Sequence, residues 1–138
     1  MQIVDTNIVV NSLVAGLYSD SARTLYAADA DWHSESLLAV KSSNVMATLI
    51  RRVSFPLADA SASLAEAVHF LNAGLHQVAD SDALDAAAHF GVTACDARFL
   101  LVARALGSPL ITEDAKLGRA APQFTQSLVE ALAAGAGK

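Results

Sequence analysis

Three aspartates stand where an α/β chain tends to concentrate chemistry. Asp5 closes the apolar run Met1-Gln2-Ile3-Val4, Asp114 follows Leu110-Ile111-Thr112, and Asp96 opens a helical pattern after Val92-Thr93-Ala94-Cys95. Reacting groups in open parallel sheets collect beyond the carboxyl ends of the strands. Carboxylates gathered there repel one another unless a cation shares them. A hard divalent ion with oxygen ligands, Mg²⁺ or Mn²⁺, suits that role. Such an ion activates water and offsets charge on a reacting phosphate. The plainer role for any one of these residues is a helix N-cap, which Asp favours. Their grouping and their flanks favour the metal reading.

The elements that must position these acids follow from hydrophobic spacing and breakers. Met1–Val4 reads as a buried strand, and Asn7–Ala15 as a helix stopped by Gly16. A second helix covers Asp20–Ala28, Trp32-His33 is strand-like, and Leu37–Val53 is a long helix with the stripe Leu38, Val45, Met46, Leu49, Ile50 and Val53. Pro56 breaks the chain before a helix over Ala60–Leu71, and Gly74–Val78 is strand-like. Helices over Ser81–Phe90 and Asp96–Leu106 end at Gly91 and Gly107, the residue type favoured just past a helix end. Ser108–Thr112 is a strand, Asp114 opens a short helix, Phe124–Gln126 is a last strand and Leu128–Ala133 a frayed helix. Short strands alternating with helices predict a three-layer α/β/α sandwich with a mainly parallel central sheet, a single domain over 1–138.

Composition sets limits on function. The chain is 54% hydrophobic with a net charge of −5, and its mean hydropathy is +0.40. That apolar excess points to surface buried between two copies, a homodimer. No apolar run approaches a membrane span, and the start carries no basic region of the kind that leads a signal peptide. Cys95 stands alone, which fits a reducing cytoplasm, and reads as a small buried apolar residue. An acidic chain attracts nucleic acid poorly through its overall field, so local cations must do that work.

Four segments together resemble the PIN-domain family. They are Ile3-Val4-Asp5-Thr6-Asn7; Asn44-Val45-Met46-Ala47-Thr48-Leu49 with Arg51-Arg52; Thr93-Ala94-Cys95-Asp96-Ala97-Arg98; and Pro109-Leu110-Ile111-Thr112-Glu113-Asp114. They occur in the family's order and spacing over nearly the whole chain, and the look is that of the VapC-like toxins of toxin–antitoxin pairs. The resemblance implies cleavage of phosphodiester bonds in single-stranded RNA with Mg²⁺ or Mn²⁺, held by Asp5, Asp96 and Asp114. It also implies supporting roles for Thr6, Asn7, Asn44 and Thr112, and an antitoxin protein as partner. It identifies no substrate-binding residues.

One position departs from the pattern. The family's second acid, three residues before the Asn of the Asn-Val-Leu segment, is Lys41 here. On a helix Lys41 lies at the edge of the apolar face, beside Leu37, Leu38 and Val45. Its stem can cover that edge with the head in water. Alternatively its ammonium reaches Asp5 or Asp96. Three carboxylates and one ammonium then total −2, where four acids would total −4, and affinity for a hard cation falls. Of the other acids, Glu113 is the better substitute; Glu35, six residues earlier, would project from another side of the helix about 9 Å along the axis.

The remaining residues carry less. Asp82, Asp85 and His89 share a helical face, but acids in a first turn usually offset the helix dipole. His33, His69, His76 and His89 show no zinc spacing. Arg51, Arg52, Arg98 and Arg104 read as solvated helix residues before phosphate contacts. A phosphoacceptor receiver domain would need an early acid pair, and there is none; Asp59 sits in a helix-like context. The expectation is a cytoplasmic PIN-like endoribonuclease; the alternative is a PIN-like domain that has lost catalysis and serves binding or assembly.

Overall fold

In the chain's computed structural model, which describes residues 1–16 and 18–136, five short strands form one parallel sheet. In chain order the elements are β1 (Gln2–Val4), α1 (Thr6–Leu13), α2 (Ser19–Ala28), β2 (Trp32–Glu35), α3 (Leu38–Val53) and α4 (Leu57–Leu71). Then follow β3 (Leu75–His76), α5 (Asp80–Phe90), α6 (Ala94–Leu106), β4 (Leu110–Ile111), α7 (Ala115–Ala120), β5 (Thr125–Gln126) and α8 (Leu128–Ala136). The sheet order is β3-β2-β1-β4-β5, and every neighbouring pair is parallel. The three-layer α/β/α arrangement expected from the alternation of elements is the one observed.

Strand alternation sorts the core into two faces. Ile3 and Leu110 pack with Phe99, Leu100 and Leu117 from α6 and α7. Val4, Trp32 and Ile111 pack on the other face with Ile8, Leu25, Leu71 and Leu128 from α1, α2, α4 and α8. Ile3 and Val4 are both fully buried, as a central strand covered on both sides requires. Fully burying such a side chain is worth about 1.5–3 kcal/mol. β1 is therefore anchored from both sides, and its end, where Asp5 sits, is a fixed point.

Several boundaries differ from the sequence reading. α1 ends at Leu13 with Val14 as its extended C-cap, so Gly16 lies beyond its stop. α4 starts at Leu57, directly after Pro56 at the N-cap, where proline's fixed φ is at home and no helical N–H is lost. α6 starts at Ala94, because the Thr93 side chain accepts from the Asp96 N–H and caps the helix. Asp96 is thus a first-turn residue and not the cap. β2 runs on to Glu35, two residues past the expected strand. Gly91 and Gly107 do end their helices, with φ of 68° and 70°. Val45 and Val53, assigned to the α3 stripe, are exposed. Cys95 is exposed too, because its place in the first turn of α6 faces away from the packed side; the expectation of a buried residue is overturned. No single helix among the described residues is long and apolar enough to cross a membrane.

Candidate active site

Asp5 is 3% exposed and sits at the end of β1, its own N–H donating to the Ile111 carbonyl of β4 at 3.0 Å. A buried carboxylate needs partners for both oxygens. Oδ1 accepts from the Thr6 N–H at 2.7 Å, and Oδ2 accepts from the Thr112 hydroxyl at 2.7 Å. That hydroxyl also accepts from Asn7 Nδ2 at 3.4 Å and from the Asp114 N–H at 3.1 Å. One donated and two accepted bonds use the full capacity of a hydroxyl. Asn7 completes the link by accepting from the Glu113 N–H through Oδ1 at 3.3 Å. Asp5, Asn7 and Thr112 thus lock the start of α1 to the end of β4. Thr6 supplies its backbone N–H only; its buried hydroxyl has no hydrogen-bond partner among the described residues.

Lys41 enters the cleft. Its Nζ lies 3.2 Å from Asp96 Oδ1 and 3.6 Å from Asp5 Oδ1, and it stands over the Phe99 ring at 4.3 Å from the centroid. The side chain is 25% exposed. Of the two expectations for Lys41, the structure shows the ammonium among the acids and not a snorkelling head. Phe99, buried in the core, fixes the floor on which that charge rests, a cation–π contact.

The other expected residues divide. Asp96 joins Asp5 through the shared ammonium. Asp114 connects to Asp5 only through Thr112, and its Oδ1 caps α7 by accepting from the Lys116 and Leu117 N–H groups at 3.0 and 3.2 Å. Glu113, expected as a substitute acid, turns away to accept from the Leu128 N–H at 2.7 Å and caps α8. Asn44 is exposed on α3 and makes no side-chain hydrogen bond among the described residues. No three of the His, Cys, Asp and Glu side chains described gather closely enough to share one metal ion. Both Asp5 oxygens accept hydrogen bonds, Asp114 caps a helix, and the cation between Asp5 and Asp96 is the Lys41 ammonium.

Sequence reasoning set Glu35 aside as a residue on another side of the α3 helix, but it lies on β2, before that helix begins. It is fully buried at the carboxyl end of β2, where it accepts from the Leu37 N–H at 2.6 Å and the Val78 N–H at 3.3 Å. Arg98 Nη1 lies 3.5 Å from it and donates to the Val78 carbonyl at 2.6 Å, while Nη2 binds Asp80. Arg98 is therefore an internal strut joining α6 to β2 and α5, not a solvated helix end. The only sequence signal would have been two more strand residues after His33. Beside the cleft, a cavity of about 480 Å³ opens at the ends of β4 and β5, lined by Thr112, Asp114, Arg119, Gln126 and Glu130 among others. Among the described lining residues Arg119 is the one cation.

No family model matches the chain, and no curated protein matches it. Among solved structures it resembles the crystal structure of PAE2754 from Pyrobaculum aerophilum, with a TM-score of 0.77 and 18% identity over 99% of this chain and 90% of that one. At that identity the two share a fold.

Proposed function

We propose that the chain is a PIN-like domain in which Lys41 takes the electrostatic place of the metal ion, leaving a binding or assembly module with little or no nuclease activity. The observation that carries this reading is the Lys41 ammonium 3.2 Å from Asp96 and 3.6 Å from Asp5. A +1 charge between two carboxylates removes most of the field that would draw a divalent cation. The net charge of −5 agrees, since it gives RNA no long-range attraction. Assembly has a surface to use. Val53 and Leu57, at the turn between α3 and α4, are 65% and 69% exposed, which supports the homodimer reading. The test is incubation of the natural protein with single-stranded RNA and Mn²⁺ beside the Asp5→Asn variant. Equal, background cleavage by both is expected. Metal-dependent cleavage lost only in Asp5→Asn overturns the reading.

That second outcome belongs to a second reading, an Mg²⁺- or Mn²⁺-dependent endoribonuclease acting on single-stranded RNA, the cytoplasmic toxin of a toxin–antitoxin pair. The intact Asp5–Thr112–Asn7 support and the neighbouring cavity with Arg119 favour it. It requires Lys41 to leave the cleft when a metal ion enters.

A further inference from the structure

Two of the three contacts of the Lys41 ammonium come from α6: Asp96 at 3.2 Å and the Phe99 ring at 4.3 Å from its centroid. The third, Asp5 at the end of β1, is longer at 3.6 Å. The place of the ammonium is therefore set by how α3, which carries Lys41, lies against α6. One buried carboxylate is tied to both helices. Glu35 Oε2 accepts from the Leu37 N–H at 2.6 Å, at the start of α3. The Leu37 carbonyl in turn accepts from the Lys41 N–H at 2.9 Å. Glu35 Oε1 lies 3.5 Å from Nη1 of Arg98, which stands between Asp96 and Phe99 along α6. The same oxygen accepts from the Ser36 hydroxyl at 3.0 Å and the Val78 N–H at 3.3 Å. Every one of these partners is a donor.

We infer that Glu35 is the positioning residue of the cleft: its charge holds α3 and α6 at the spacing that seats Lys41 on Asp96. This deepens, and rests on, the reading of Lys41 as the occupant of the metal's place. The surroundings require a carboxylate and not only its shape. A glutamine would replace one oxygen by an NH₂ group. Turned toward Leu37, that group meets the N–H at the start of α3. Turned the other way, it meets the Val78 N–H and the Arg98 guanidinium. Either orientation sets buried donors against each other, and only the release of one of the two helices relieves it. Arg98 keeps the Val78 carbonyl and Asp80, so α6 stays with α5 and parts from α3. The Lys41 ammonium then loses Asp96 and Phe99 together.

The test follows the ammonium by ¹H–¹⁵N NMR and the cleft by Mn²⁺ calorimetry, both on the full chain. The natural protein should show one sheltered Nζ signal, assigned by its absence from Lys41→Met, and Glu35→Gln should lose it. Lys41→Met should tighten Mn²⁺ binding about 30-fold, the effect of one charge at about 4 Å from a +2 ion in a water-like dielectric. Glu35→Gln should recover at least about threefold of that, although losing a negative charge by itself weakens cation binding. In the Lys41→Met background it should tighten nothing. Where Glu35→Gln folds poorly, Arg98→Gln cuts the same tie from α6 and should also lose the Nζ signal. A sheltered signal missing from the natural protein or kept in both variants, or tightening by Glu35→Gln that persists without Lys41, would overturn the positioning role. Unchanged Mn²⁺ affinity in Lys41→Met would instead overturn the reading of Lys41 on which it rests.

Discussion

Replacing Lys41 by glutamate removes a +1 charge from the acidic cleft and adds a −1. The ammonium now stands 3.2 Å from Asp96 and 3.6 Å from Asp5, so a divalent ion held by those acids would lie within about 4 Å of it. At a water-like dielectric, a change of two charges at about 4 Å from a +2 ion is worth about 4 kcal/mol. That corresponds to about three decades in affinity. Any sheltering by Phe99 lowers the local dielectric and enlarges the effect. Calorimetric Mn²⁺ titration of the two proteins should find natural binding in the millimolar range or weaker and micromolar binding in Lys41→Glu. Cleavage of single-stranded RNA should appear in the variant and vanish again when Asp5→Asn is added. If Mn²⁺ binds both proteins within a factor of three, the electrostatic argument is wrong and Lys41 has no part in excluding the metal.

Other perturbations test the frame around that cleft. Thr112→Val should cost about 1–3 kcal/mol in urea unfolding, because it strips a donor from the buried Asp5 carboxylate and leaves the Asp114 N–H unpaired; Thr112→Ser should recover most of it. Glu35→Ala should cost about 3–5 kcal/mol by the same measurement, since Arg98 loses its buried counter-charge, and a loss below 1 kcal/mol would show that Asp80 alone holds Arg98. Gly74→Ala should fail to fold or lose several kcal/mol in thermal unfolding, because a Cβ there would lie 2.2 Å from the Trp32 carbonyl oxygen.

How far the sequence disclosed the site depended on whether a residue's surroundings were local. Helix caps and stops are local, so Gly91 and Gly107 were placed correctly. Lys41 was legible because its distance from Asn44 along one helix is fixed by helix geometry. Glu35 was not, since a strand of four residues carries little periodicity and the arginine that neutralises it is 63 positions away. His33 and His76 meet across β2 and β3, which depends on which strands are neighbours, a property of topology that spacing cannot express. Glu113 was misassigned because a carboxylate beside an acidic motif looks the same whether it faces the cleft or the N–H groups of α8. The start of α6 was placed at Asp96 and not Ala94 because Asp and Thr suit the cap equally well, and Thr93 is the one that caps.

The supports of Asp5 come from distant parts of the chain: Lys41 from α3, Asp96 from α6 and Thr112 from the far side of β4, 107 residues away. The Thr112 donor is not in place until β4 has paired with β1. A growing polypeptide that has not yet released Thr112 holds Asp5 with one oxygen lacking its donor, and water is then the better host for that carboxylate. The end of β1 should therefore be the last part of the central strand to dock. Parallel pairings of this reach pay their loop-closure entropy before any contact rewards it. During synthesis β1 should accordingly linger with its β4-facing edge unpaired, and the step that shelters that edge is the same one that assembles the acidic cleft.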